Sequence, residues 1–179
     1  FIGIKTKNNF PYFKEKIFCD LFVENLKLCK EMKGFLLYGW VLIYDHFHLM
    51  IQPGDEFNVS DVMFSIKKQF SHDANRILGY NKLYTSLKAR KRFRAFRRSI
   101  INYQKFVLSS KTRFYFKHPQ NPFSKFQWQK SFYDHYIRNK NEFIRLMNYI
   151  EYNPIKHGLP SDWPYVFCNN KYNYLTDTP

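Results

Sequence analysis

The sequence has few cysteines and no long apolar run, and each absence narrows the possible functions. Cys19, Cys29 and Cys168 are odd in number and show no C-x-x-C spacing. This pattern argues against a disulfide framework and against a zinc knuckle, so we expect reduced thiols in a cytoplasmic protein. No apolar run approaches the roughly 20 residues that a membrane span needs, and no secretory signal is visible, so we expect no membrane partner.

Acidic residues are absent from positions 74–133, whereas 15 of the 29 lysines and arginines fall there. Elsewhere the basic and acidic residues are equal in number, so the whole net charge of +15 comes from this stretch. A polyanion is the natural partner of such a stretch, and nucleic acid is the commonest polyanion. A solvated basic face and a patch for anionic lipid are the alternatives, but neither accounts for the loss of all acidic residues.

The apolar pattern predicts an α+β fold. Strands are predicted at 1–7 (with the beginning of the strand expected before Phe1), 35–44, 47–52 and 126–137, and helices at 12–33, 58–78 and 139–153. Pro154 is expected to end the last helix. The order strand, helix, strand, strand, helix, strand, helix is the split βαβ pattern of ferredoxin-like domains, with a central antiparallel sheet and two helices over one face. We predict a single domain over 1–179, with a C-terminal tail at 155–179 and a basic, helical insertion at about 80–125, in which the helix is expected at 87–108.

His46 and His48 lie in the apolar stretch YGWVLIYDHFHLMIQP, which is typical of a buried strand or strand pair. Side chains alternate along a strand, so the two imidazoles point the same way and Phe47 points towards the core. Two imidazoles on one rigid face can hold a metal ion. The alternative is that both are ordinary polar residues on a solvated face.

Tyr149 stands out among 14 tyrosines because of its place on the last helix. It lies at the edge of the apolar stripe of that helix, and Asn153 lies one turn further on the same side. If the stripe packs beside His46 and His48, then two imidazoles and an amide oxygen can bind a divalent ion, and the phenol can attack a phosphorus atom. The alternative is an edge tyrosine with its hydroxyl in water; Tyr133 and Tyr136 are rivals without a paired amide.

Two segments around these residues resemble a known family. YDHFHLMIQP is similar to the HUH signature (His, hydrophobic, His) of IS200-like single-tyrosine transposases. FQWQKSFYDHYIRNKNEF and the following LMNYIEYNPIKHGL resemble the REP-associated tyrosine transposase branch. The resemblance covers 1 to about 73 and 126–159, and leaves out most of the basic stretch.

The resemblance implies roles for four residues. His46 and His48 would be metal ligands, and Asn153 would complete the metal site where many relatives carry Gln. Tyr149 would be the nucleophile that joins to the 5′ phosphate of cut single-stranded DNA. The ion of the family is Mg²⁺ or Mn²⁺, although paired histidines also suit zinc. Asp45 departs from the Asn often found before the first His, and the interval from His48 to Tyr149 is longer than expected.

We therefore expect a metal-dependent enzyme that cleaves and transfers DNA strands through a covalent 5′-phosphotyrosine, without a nucleotide cofactor. Its partner would be single-stranded or hairpin DNA, bound by a monomer or homodimer at the nucleoid in the cytoplasm. Trp128 is expected either to stack on unpaired bases or to pack in the core. Phosphate contacts are predicted for Arg90, Lys91, Arg92, Arg94, Arg97 and Arg98.

Two other functions remain open. One is a metal-dependent nuclease that uses His46 and His48 with water as the nucleophile, and so leaves no protein–DNA adduct. The other is a non-catalytic nucleic-acid-binding domain with a degenerate site.

Overall fold

The computed structural model describes residues 1–84 and 91–169, and this part of the chain contains a five-stranded sheet and four α-helices. The predicted α+β class with an antiparallel sheet is confirmed. None of the helices in the described residues has an apolar stretch of membrane-spanning length. The elements are, in chain order, β1 (Ile2–Lys5), α1 (Lys16–Lys33), β2 (Leu36–Ile43), β3 (His46–Gln52), α2 (Val59–Ile77), α3 (Arg97–Lys117), β4 (Tyr133–Asp134), α4 (Lys140–Lys156) and β5 (Val166–Cys168).

The chain divides into two compact units, which are described in turn. The first comprises Phe1–Lys14, Leu36–Gln52 and Trp128–Pro179, and the second comprises Glu15–Phe35 and Pro53–Gln127. The predicted single domain with an insertion at about 80–125 stays a prediction.

The first unit contains the whole sheet, in the order β4-β1-β3-β2-β5 with every neighbouring pair antiparallel. The histidine strand β3 is central, as the sequence predicts. The turn between β2 and β3 falls at Tyr44 and Asp45, also as predicted. Strand β5 lies within the predicted tail, where no strand was expected.

The strand register places both histidines on one face of the sheet. His48 is directly opposite Gly3 of β1 and Val41 of β2. Directly opposite residues share a face of the sheet, so the side chains of Val41 and His48 point to the same side. His46 is two residues before His48 on β3 and therefore points to that side as well. Val41 packs with Met147 of α4 in a buried cluster, so α4 covers the histidine face. The opposite face carries the buried side chains of Ile2, Ile4, Leu42, Phe47 and Leu49.

Helix α4 begins where the sequence predicts and ends later. The Asn139 side chain accepts a hydrogen bond of 2.9 Å from the backbone N–H of Glu142 and so caps the first turn. The predicted stop at Pro154 is wrong, because the helix continues to Lys156. Proline removes only its own N–H donor, and the next turn is closed by His157, whose N–H lies 3.2 Å from the Asn153 carbonyl oxygen. Gly158, at a φ of 70°, follows immediately.

The strand predicted over 126–137 is also wrong in its extent. Only Tyr133–Asp134 pairs as a strand, and an isolated bridge joins Trp128 to Thr6. Four residues lie between Trp128 and Tyr133, but only two lie between their partners Thr6 and Gly3, so regular pairing cannot continue between the two contacts. The segment meets β1 near both of its ends and arches away between them.

The second unit consists of α1, α2 and α3. Helix α1 ends at Gly34 with a φ of 65°, as predicted, and Asn58 and Asp61 form a capping box at the start of α2. Helix α3 begins about ten residues later than the predicted helix at 87–108, part of which lies outside the described residues. The buried Asp73 of α2 accepts a hydrogen bond of 3.0 Å from the hydroxyl of Tyr103, which ties α3 to α2.

Candidate active site

The structure brings Tyr149 to the histidine pair. The Tyr149 hydroxyl oxygen is 3.4 Å from Nε2 of His48, and the two ring centroids are 5.2 Å apart. The ring centroids of His46 and His48 are also 5.2 Å apart. Two local patterns produce this meeting, namely the alternation of side chains along β3 and the packing of the apolar stripe of α4 on the same face of the sheet.

Asp45 fixes the tautomer of His46. Nδ1 of His46 lies 2.6 Å from Oδ1 of Asp45, so the ring N–H donates to the carboxylate and the lone pair of Nε2 stays free. In His48, Nδ1 is buried without a hydrogen-bond partner, and Nε2 faces the phenol of Tyr149. The Phe1 ring stacks on His48, with centroids 5.2 Å apart and planes 19° apart. Both histidines therefore offer Nε2 as the available nitrogen.

Burial keeps both histidines neutral near pH 7. It lowers the pKa of His46, and the hydrogen bond to Asp45 partly offsets this effect. The pKa of His48 falls to about 3, first through burial and then because a proton on its ring would be repelled by the protonated forms of His46 and His157 and by Lys5. Neutral imidazole is the form that binds a metal ion.

Asn153 is buried one turn beyond Tyr149, with only 1% of its surface exposed. Neither its amide oxygen nor its amide nitrogen has a hydrogen-bond partner. Such a buried polar group is costly and suggests a missing ligand. No three His, Cys, Asp or Glu side chains are gathered as metal ligands in residues 1–84 and 91–169. The predicted role of Asn153 as a metal ligand stays a prediction.

A cavity of about 710 Å³ opens beside Tyr149 and the two histidines. The sequence interpretation missed Lys5, Lys156 and His157, which also line it. The His157 ring centroid is 5.0 Å from that of His46, and Nζ of Lys156 is 5.4 Å from the centre of the Tyr149 ring. His157 follows Asn153 by four residues, a spacing that places both on one side of a helix. A helix that ends at Pro154 would not include His157, so the sequence prediction does not place it at the site.

Of the predicted DNA-binding residues whose side chains the structure describes, none lines this cavity. The half-buried ring of Trp128 packs against Phe47, with centroids 5.4 Å apart, on the face of the sheet opposite the histidines. Arg94, Arg97 and Arg98 are exposed in the second unit. Arg90 lies outside the described residues, and so do the side chains of Lys91 and Arg92. The predicted roles of all seven residues stay predictions.

Comparison with known proteins supports the predicted resemblance. No protein-family model matches the chain. A protein of Haemophilus influenzae described as a REP-associated tyrosine transposase is 44% identical over 41 residues, which are 21% of this chain and 23% of that protein. The chain thus matches less than a quarter of the length of this relative.

The fold is that of a solved structure of a REP-associated tyrosine transposase bound to a REP hairpin. The similarity has a TM-score of 0.59 and covers 92% of this chain and 73% of the other, at 20% sequence identity. The predicted resemblance to REP-associated tyrosine transposases is confirmed by these two findings.

Proposed function

We propose that this chain is a single-tyrosine transposase of the REP-associated type, which cleaves and rejoins single-stranded or hairpin DNA through Tyr149. The observation that carries the proposal is the distance of 3.4 Å between the Tyr149 hydroxyl and the neutral His48 on a rigid strand. A phenol at the edge of a cavity, beside a pair of metal-binding imidazoles, suits attack on a phosphate.

In the proposed reaction the phenol oxygen attacks the scissile phosphorus in line with the 3′ oxygen. The bond from phosphorus to the 3′ oxygen breaks, the phenol loses its proton, and the 3′ oxygen gains one. The product is a 5′-phosphotyrosine and a free 3′ hydroxyl. The reaction exchanges the phosphodiester of the DNA for a phosphodiester to tyrosine. A 3′ hydroxyl can therefore later attack the phosphotyrosine and rejoin the strands.

His46, His48 and Asn153 would hold the divalent ion, for which Mg²⁺ or Mn²⁺ is proposed. When bound, that ion neutralises charge on the phosphate oxygens and orients the phosphate. The protein itself positions the metal-binding imidazole and the attacking phenol. Asp45 holds the His46 ring with Nε2 towards the site, and α4 holds the phenol against the sheet.

The test is incubation of the full chain with labelled hairpin DNA and Mg²⁺ or Mn²⁺, followed by a denaturing gel. We expect a labelled band at the mass of the protein, which Tyr149→Phe abolishes. Tyr152→Phe is the matched control, because Tyr152 is 62% exposed on the same helix and does not line the cavity. Cleaved DNA without an adduct would show that the protein is a nuclease instead. Binding without cleavage across a panel of hairpins would show that it is a non-catalytic DNA-binding domain.

A further inference from the structure

Gly3 lies directly beside the histidines on one face of the sheet. The register places Tyr133, Gly3 and His48 in one row across β4, β1 and β3, so their side-chain positions share a face. A Cβ atom at Gly3 would lie 3.0 Å from Nδ1 of His48. Since glycine has no side chain, the His48 ring lies close against β1 in the space that a larger side chain would need. Gly3 is part of the floor of the 710 Å³ cavity.

One wall of this cavity is cationic. Lys5 stands in the row next to Gly3, opposite His46, and Lys156 and His157 extend from the last turn of α4. Lys5 and Lys156 are exposed, and neither lies within ion-pair distance of a carboxylate in the described part of the chain. Two uncompensated ammonium groups in this cavity favour an anion, and the position of Lys156 next to Tyr149 favours a phosphate of the DNA backbone.

Another wall is aromatic. Tyr133 lies on the edge strand β4 and lines the cavity, although 61% of its surface is exposed. An exposed aromatic ring beside a cationic groove is the usual combination in proteins that bind single-stranded nucleic acid, because the face of every base can stack on it. The volume of the cavity is within the range of about 300–1,000 Å³ that small-molecule sites occupy.

We propose that this cavity is a subsite for one unpaired nucleotide next to the scissile phosphate, with its phosphate held by Lys5 and Lys156 and its base stacked on Tyr133. His157 lies at the same wall and supplies a further hydrogen-bond donor to the phosphate. The proposal rests on the proposed function, because it places the nucleotide beside Tyr149. It also assigns base stacking to Tyr133 in the cavity, rather than to Trp128 on the opposite face of the sheet.

The test is the binding of a fluorescein-labelled single-stranded oligonucleotide, followed by anisotropy in EDTA so that no cleavage occurs. Tyr133→Leu is expected to weaken binding about tenfold, whereas Tyr133→Phe, which keeps the ring, is expected to bind like the wild type. Tyr136→Leu is the control, because Tyr136 is 82% exposed but does not line the cavity. An unchanged affinity of Tyr133→Leu would overturn the stacking role.

The contribution of the lysines is measured from the salt dependence of binding. Replacement of both Lys5 and Lys156 by Gln should reduce the slope of log affinity against log salt concentration by about 0.7, since the two lysines hold one phosphate and each neutralised phosphate of a single strand contributes roughly 0.7. Lys140→Gln is the control, because Lys140 is exposed in the first turn of α4 and away from the cavity lining. A slope unchanged by the double substitution would overturn the phosphate contact.

A single abasic nucleotide, moved along the oligonucleotide, locates the base in the subsite. At one position the abasic nucleotide should weaken binding by the wild type as much as the Tyr133→Leu substitution does. At that position it should cause no further loss of affinity in the Tyr133→Leu variant. Additive losses at every position would contradict the proposal. This outcome can be separated from that of the proposed function. A Tyr149-dependent adduct together with normal DNA binding by Tyr133→Leu refutes the subsite alone. Weakened DNA binding by Tyr133→Leu without any adduct refutes the transposase activity alone.

Discussion

Acidification should destabilise the protein through His48. The pKa of His48 is about 3 in the folded state and about 6.5 in an unfolded chain. Between these values the unfolded state binds a proton that the folded state does not, so the free energy of unfolding falls as the pH drops below about 6.5. From pH 7 to pH 5 the linkage relation gives a loss of about 2 kcal/mol from this one residue.

The assay is urea unfolding at pH 7 and pH 5 in EDTA, for the wild type and for His48→Gln. Glutamine cannot take up the proton, so the variant should lose about 2 kcal/mol less than the wild type over this interval. Comparing the two proteins cancels the titration of distant groups, which they share. Equal losses in both proteins would refute the reasoning that burial keeps His48 neutral.

Three further substitutions test the cap, the cavity and the candidate metal site. Asn139→Ala removes the α4 cap and should reduce the free energy of unfolding, measured with urea, by about 1 kcal/mol. The exposed Asn141→Ala is the control, and an equally small change in both variants would contradict the role of the cap. Gly3→Ala should displace the His48 ring, because the new Cβ would lie 3.0 Å from Nδ1; a histidine NMR spectrum identical to that of the wild type would argue against this contact. Asp45→Ala should weaken Mn²⁺ binding about tenfold in calorimetry, and unaltered affinity would show that Asp45 does not orient His46.

The sequence predicts much of the site because two of its elements obey simple periodicities. Alternation along β3 predicts that His46 and His48 share a face, and the register with β1 and β2 confirms it. The apolar stripe of α4 predicts the side of the helix on which Tyr149 lies. These patterns reflect local backbone geometry together with burial, which a single sequence records directly.

The remaining features depend on contacts between distant segments. The short strand β5 pairs with β2 in a segment whose composition shows no strand pattern, and the arch before Tyr133 reflects two extra residues opposite β1. The hydrogen bond from His46 to Asp45 depends on side-chain rotamers. Proline disfavours helical geometry at the residue before it, but this preference does not end α4 here, and the extension past Pro154 carries Lys156 and His157 to the cavity.

The central proposal is that the Tyr149 hydroxyl becomes covalently joined to DNA. The most direct measurement is mass spectrometry of the trapped adduct after nuclease and trypsin digestion. Cleavage after Arg145 and Lys156 releases residues 146–156, a peptide that contains both Tyr149 and Tyr152. We expect fragment ions that carry the 5′-nucleotide on Tyr149. A nucleotide on Tyr152, or unmodified peptide from reactions in which the DNA has been cleaved, would contradict the proposal.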